Sequence, residues 1–220
     1  MKSVWALLSK DILLEWRQRY ALNGMLLYVI STVFVAYMSF KLKVANIEPI
    51  TWNTLFWIIL LFTAVNAITK SFTQERSGRQ IYYYTIVKPE AVIIAKIIYN
   101  SLMLFVLGII GLLIYTTMMG NPVKDFPLYL FSVILGAIGF ASTLTIVAGI
   151  ASKADNTATL MAVLSFPILL PILLMLMRLS KNAMDGLARN TSYDEILTII
   201  AIEGIVIALS YLLFPYLWRS

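Results

Sequence analysis

The sequence predicts an all-α polytopic membrane protein with six transmembrane helices, preceded by a helix that lies in the membrane interface. Three observations support this fold class. Hydrophobic residues make up 60% of the 220 residues and charged residues 13%, whereas about 25% of residues are charged in an average soluble domain. Mean hydropathy is +0.86. The apolar residues occur in blocks of about twenty, the length that an α-helix needs to cross a bilayer. The whole chain, 1–220, is therefore predicted as a single transmembrane domain.

The N-terminal segment, residues 1–21, carries too many charges to span a bilayer. Its apolar residues Trp5, Leu8, Ile12 and Trp16 recur three or four residues apart, which places them on one face of a helix. This pattern favours a helix lying along the membrane surface with that face toward the lipid. The alternative is a frayed basic tail that only fixes the orientation of the chain.

Six apolar blocks follow, and each predicts one membrane span. They cover about 22–40, 52–69, 92–118, 126–151, 159–177 and 196–217. If the spans alternate in direction, 11 Lys and Arg residues lie on the N-terminal side of the membrane and 6 on the opposite side. Basic residues collect on the cytoplasmic side of membrane proteins, so both termini are predicted to be cytoplasmic.

Small residues are concentrated within two of these spans. Gly108 and Gly111 lie in the third, and Gly136, Gly139 and Ala141 lie in the fourth. Small residues allow helix backbones to approach closely in a membrane. We interpret both groups as helix packing contacts and not as a ligand site.

The fifth span carries Pro167 and Pro171, four residues apart. Each proline removes one backbone hydrogen bond from a helix. The spacing therefore predicts a kink or a break near the middle of the membrane.

The composition excludes several classes of chemistry. The chain has no cysteine and no histidine, so thiolate nucleophiles, disulfides and histidine metal or acid–base sites are absent. None of the ten glycines is followed by lysine, which excludes a P-loop for ATP. The net charge of +6 is explained by membrane orientation, and no basic run indicates nucleic-acid binding. We predict no catalytic residue and no metal site.

Glu203 is the one carboxylate that lies clearly inside a predicted span. An intramembrane acid is a functional candidate by default. The residue alone leaves two interpretations open, a polar contact between helices or a place in a transport pathway.

The most informative polar stretch is residues 70–91, on the predicted cytoplasmic side. Its candidate residues for contact with a peripheral partner are Phe72, Glu75, Arg76, Gly78 and Arg79. A membrane domain without its own energy source needs an ion gradient or such a partner, and the internal repeats of gradient-driven carriers are not evident. The alternative is a solvated basic loop that only enforces orientation.

Four segments, in order along the whole chain, resemble the haem exporter protein B (CcmB) family. They are Leu-Leu-Ser-Lys-Asp-Ile-Leu-Leu-Glu-Trp-Arg (7–17), Phe-Thr-Gln-Glu-Arg-Ser-Gly (72–78), Lys-Pro-Glu-Ala-Val-Ile-Ile-Ala-Lys (88–96) and Leu-Ser-Phe-Pro-Ile-Leu-Leu-Pro (164–171). The most specific part is the proline pair combined with the Phe-x-x-Glu stretch.

The resemblance implies an ABC-2 type exporter fold in the bacterial cytoplasmic (inner) membrane. It implies a permease subunit that works in cytochrome c maturation with a CcmA-like ATPase, a CcmC-like haem-handling protein and a CcmE-like haem chaperone, with two permease copies in the complex. The 72–79 residues would then form the loop that couples to the ATPase, and Trp5 to Arg17 the elbow helix. The permease itself would bind no cofactor directly, because ATP belongs to the ATPase and haem to the other partners.

Two other functions remain open at this point. One is an ABC-2 permease for a different cargo, such as a polysaccharide, a lipid or a drug. The other is a membrane scaffold that assembles haem-handling proteins without transport. An intramembrane enzyme is disfavoured because the spans contain so few polar residues.

Overall fold

The computed structural model of the chain describes residues 2–18, 20–41, 47–73, 87–151 and 157–219. These ranges are helical almost throughout and contain no β-strand. The helices are α1 (Lys2–Gln18), α2 (Tyr20–Lys41), α3 (Pro49–Thr73), α4 (Pro89–Met119), α5 (Phe126–Ala151), α6 (Thr157–Asp185) and α7 (Tyr193–Arg219), with a 3-10 turn at Arg189–Ser192 before α7.

Helices α2 to α7 each contain a stretch that is long and apolar enough to cross a membrane. The predicted fold class, an all-α polytopic membrane protein with six spanning helices, is therefore confirmed. The helices run further than the apolar blocks. Helix α6 continues to Asp185 because Leu179 and Ala183 remain fully buried on one face, while the charged Arg178 and Lys181 lie on the exposed face.

Helix α5 is the centre of the bundle. It packs against α3, α4, α6 and α7, and 83% of an apolar 18-residue stretch in it is buried, compared with 17% of such a stretch in α2 and 22% in the last span. The sequence of α5 is apolar or small on every side and carries no charged residue, as expected for a helix with neighbours all around it. The outward faces of the peripheral helices are apolar and are suited to contact lipid.

The helix ends follow local rules. Helix α4 begins at Pro89, where the missing N–H costs no hydrogen bond, and Glu90 lies in its first turn. It ends at Gly120, whose φ of 82° is a backbone conformation that favours glycine. Asp125 then caps α5, because its Oδ1 accepts a hydrogen bond from the Leu128 N–H at 3.2 Å.

Candidate functional site

The N-terminal helix α1 packs against α4 and, less extensively, against α2. Trp5 and Trp16 are 70% and 73% exposed, and Ile12 is also exposed. Leu8, at the edge of the same face, is buried. Two exposed tryptophans on a helix that is attached to the bundle are suited to the headgroup region of a bilayer.

Glu15 joins α1 to two other helices. Its Oε1 accepts a hydrogen bond from the backbone N–H of Leu22 at 2.7 Å, and its Oε2 accepts one from the Tyr99 hydroxyl at 3.3 Å. Leu22 lies in the first turn of α2, where backbone N–H groups lack partners within the helix. The sequence interpretation missed this residue. The available signal was a carboxylate shortly before the start of an apolar helix.

The predicted coupling residues lie at the junction of α3 and α4. Phe72 belongs to the last turn of α3, whereas Glu75, Arg76, Gly78 and Arg79 lie outside the described residues. Their role stays a prediction. The structure describes the helices on both sides of them, and both α3 and α4 pack against the central α5.

Pro167 and Pro171 lie inside α6, which is assigned as a continuous helix from Thr157 to Asp185. The helix is therefore not broken at this pair, and the predicted kink stays a prediction. Both prolines are on the exposed side of α6. Their missing N–H groups leave backbone carbonyls one turn earlier without the usual helical partner.

Glu203 lies on the buried stripe of α7, about 15 Å along the helix axis from its start at a rise of 1.5 Å per residue. Its side chain is only 6% exposed, and its Oε1 has no hydrogen-bond partner among the described residues. A Cβ placed on Gly139 of α5 would lie 2.9 Å from this oxygen and 3.1 Å from Cγ2 of Ile172 in α6. The carboxyl group therefore occupies the junction of three helices.

A cluster of aromatic and polar side chains, which the sequence interpretation also missed, links α3 to α4, α5 and α6. Trp52 packs against Tyr115 with ring centroids 4.7 Å apart, and the Tyr115 hydroxyl donates to the Trp52 carbonyl at 3.0 Å. Tyr129 donates to Oδ1 of Asn53 at 3.1 Å. Trp57 Nε1 donates to Ser180 Oγ at 2.8 Å. Each of these buried donors has an acceptor, so the cluster is a structural core and not an open site.

On the side opposite the N-terminus, an ion pair connects the loop before α5 to the turn before α7. Arg189 Nε lies 3.0 Å from Asp125 Oδ2, and its Nη2 lies 3.3 Å from Oδ1. Two hydrogen bonds lower the pKa of Asp125, and the one from Arg189 has a larger effect than the one from the Leu128 N–H. The pKa of Arg189 is raised by the same hydrogen bond. A partly exposed ion pair of this kind connects the two loops and has a structural role.

The described residues contain no group of three or more His, Cys, Asp or Glu side chains that could hold a metal ion. A family model described as "CcmB protein" matches residues 2–216. No curated protein matches the chain. No solved structure matches it either.

Proposed function

The chain belongs to the CcmB family of haem exporter permease subunits in cytochrome c maturation, and we propose that it couples ATP hydrolysis by a partner subunit to that process. A permease of this family is not itself a catalytic enzyme. It is a multi-pass membrane protein and a member of a complex with other subunits. The finer proposal concerns how the chain receives energy from its partner.

We place the ATPase contact on the stretch between α3 and α4. The observation that carries this proposal is that the stretch starts at the end of α3 and finishes at the start of α4, two helices that both pack on the central α5. A force applied there acts on the core of the bundle and not on a peripheral helix. Phe72 would supply an apolar contact, and Glu75, Arg76 and Arg79 would supply charges on either side of Gly78.

We expect the elbow helix α1 to lie on the same side of the membrane as this contact. If the termini are cytoplasmic, as the 11 basic residues on that side predict, α1 and the 74–86 stretch both face the cytoplasm. Glu15 ties α1 to α2 and α4. We propose the bacterial inner membrane as the location and two permease copies in the complex.

Haem ligation is assigned to the partners. Histidine is a common axial ligand of haem iron, and methionine and tyrosine are alternatives. The chain has no histidine. We therefore propose that a CcmC-like protein and a CcmE-like chaperone hold the haem, and that a CcmA-like subunit binds ATP.

Charge reversal at Glu75 tests the coupling proposal. We expect Glu75→Lys, and separately Phe72→Asp, to reduce both the ATPase that co-purifies with the permease and the yield of holo-cytochrome c. The matched control is Glu48→Lys, the same chemical change at an exposed position before α3 on the opposite side. Both readouts should remain at the wild-type level in the control.

Three outcomes would decide against the proposal or part of it. Normal ATPase recovery and normal cytochrome yield in both variants would show that the 72–79 residues do not couple the two subunits. Lost ATPase with a normal cytochrome yield would favour a permease for another cargo. A normal cytochrome yield with an ATPase that cannot hydrolyse ATP would favour a scaffold.

A further inference from the structure

The carboxyl group of Glu203 is a buried polar group that the proposed ATPase contact does not use. Four buried side-chain oxygens lack a hydrogen-bond partner among the described residues, and they belong to Glu90, Thr143, Glu195 and Glu203. Glu90 and Glu195 lie in the first turns of α4 and α7, where a carboxylate faces the positive end of a helix dipole. Thr143 and Glu203 lie deep inside spans.

The two groups lie on helices α5 and α7, which pack against each other, and they form no hydrogen bond with each other. Thr143 is fully buried and lies four residues after Gly139, on the same face of α5. The absence of a Cβ at Gly139 leaves room for Oε1 of Glu203, and Cγ2 of Ile172 in α6 borders the same space. The junction of α5, α6 and α7 therefore holds Oε1 of Glu203 beside Gly139 and Ile172, without a hydrogen-bond partner among the described residues. We call it the Glu203 pocket.

No described cation pairs with Glu203. On α5 the only ionisable side chain is Tyr129, ten residues before Gly139, and its hydroxyl is bonded to Asn53. On α6 the ionisable residues lie six or more positions beyond Ile172, toward the C-terminal end of the helix. The contact between α4 and α7 is made around Phe214, eleven residues after Glu203. The ionisable residues in these neighbouring elements are Arg178, Lys181 and Asp185 on α6, Glu90, Lys96, Tyr99 and Tyr115 on α4, Arg189 in the 3-10 turn, and Tyr193, Asp194, Glu195, Tyr211, Tyr216 and Arg219 on α7 itself.

An ionised carboxylate is disfavoured in such a setting, because burial of Oε1 removes its hydration and neither a countercharge nor a hydrogen-bond donor among the described residues replaces it. A carboxylic acid is far less disfavoured, because it is neutral and carries a donor of its own. This environment therefore favours the protonated form of Glu203.

We propose that the Glu203 pocket is a proton-binding site inside the membrane-spanning bundle. The carboxyl group holds one proton while α7 lies against α5 and α6. We call this interface of α7 with α5 and α6 the seam. When the seam opens, the O–H bond of the carboxyl group breaks, the electron pair stays on the carboxylate, and the proton passes to water. The pocket lies within the spans, so this inference does not depend on how an ATPase docks at the 72–79 residues.

Infrared spectroscopy of the purified full-length chain tests the bound proton. At pH 7 we expect the carbonyl stretch of a protonated carboxylic acid in the wild type and its loss in Glu203→Gln, a substitution of nearly the same shape. The control Glu48→Gln removes an exposed carboxyl group and should keep the band. Absence of the band from the wild type, or its persistence in Glu203→Gln, would overturn the proposal.

A single-cysteine experiment tests the link between the proton and the seam. The chain has no native cysteine, so Val206→Cys provides one reporter on the buried stripe of α7, where Val206 is 7% exposed. As the pH rises from neutral, labelling by a small maleimide should increase more steeply with Glu203 present than in the Glu203→Gln background. Both backgrounds share the titration of the cysteine itself. Identical pH profiles would show that the seam does not respond to this proton.

Discussion

A single added methyl group at Gly136 tests whether the core of the bundle is built around the indole of Trp57. A Cβ at Gly136 would lie 2.6 Å from Cζ3 and 2.8 Å from Cη2 of Trp57, and 3.3 Å from Cδ1 of Leu176. Trp57 is completely buried and its Nε1 donates to Ser180 at 2.8 Å. The indole therefore cannot move away without disturbing its neighbours or losing this hydrogen bond.

The size of the effect follows from three contributions. Overpacking a filled core costs about 1–3 kcal/mol, and a strained or lost hydrogen bond costs about 1 kcal/mol. The higher helix propensity of alanine returns about 1 kcal/mol. The net loss for Gly136→Ala is then about 1–3 kcal/mol, which corresponds to a fall of roughly 2–12 °C in melting temperature for a chain of this length.

Gly204→Ala is the matched control, because the same substitution in α7 meets no atom within 4 Å. It should leave the melting temperature unchanged or raise it slightly. The assay is the fraction of detergent-purified protein that stays monodisperse after heating. In a Trp57→Phe background, which lacks the second ring of the indole, Gly136→Ala should cost less than it does alone. Equal melting of the two alanine variants would refute the packing described for Trp57.

Three further predictions concern the joints and the orientation of the chain. Glu15→Ala removes the acceptor for the N–H of Leu22 and should cost about 0.5–2 kcal/mol, as lost helix caps do; Glu15→Gln keeps an acceptor oxygen and should recover most of the melting temperature. Hydrogen bonds in the folded chain lower the pKa of Asp125. The stability that its carboxylate adds is therefore fully present well above the ordinary pKa of about 4, and it is lost as the pH falls through the lowered pKa. The wild type should therefore melt above Asp125→Asn at pH 7 and converge with it in acid, and a pH-independent difference would contradict this reasoning. A reporter active only outside the cytoplasm and fused after Arg189 should be active, and inactivity would overturn the predicted orientation.

The sequence was sufficient to predict the membrane fold, because a bilayer imposes a length on every span. An apolar block of about twenty residues has few alternatives to a spanning helix. The same physics says little about which helix is central. Helix α5 is surrounded, and α2 is mostly exposed, although the apolar stretches of both are free of charged residues. Lipid and protein neighbours demand similar residues, so burial within the bundle could not be predicted from hydrophobicity.

The sequence indicated some candidate functional residues and gave no sign of others. The candidate coupling residues were found from charge in a chain that has little of it, and their role stays a prediction. Glu15 was missed because one carboxylate in a charged segment has no distinguishing pattern. Its importance arises from contacts with Leu22 and Tyr99, and the second of these is 84 residues away in the chain.

The two glycines of α5 show where a packing interpretation is sufficient and where it is not. Small residues in the fourth span were interpreted as sites of close backbone approach, whereas the atoms nearest to Gly136 and Gly139 are side-chain atoms of Trp57 and Glu203. At Gly136 the neighbouring side chain is Trp57, whose Nε1 donates a hydrogen bond to Ser180. Packing stability alone therefore explains the glycine at this position. At Gly139 the enclosed oxygen has no partner among the described residues. A leucine at Glu203 would fill an apolar junction without this cost, and the acid is therefore better explained by proton binding than by packing.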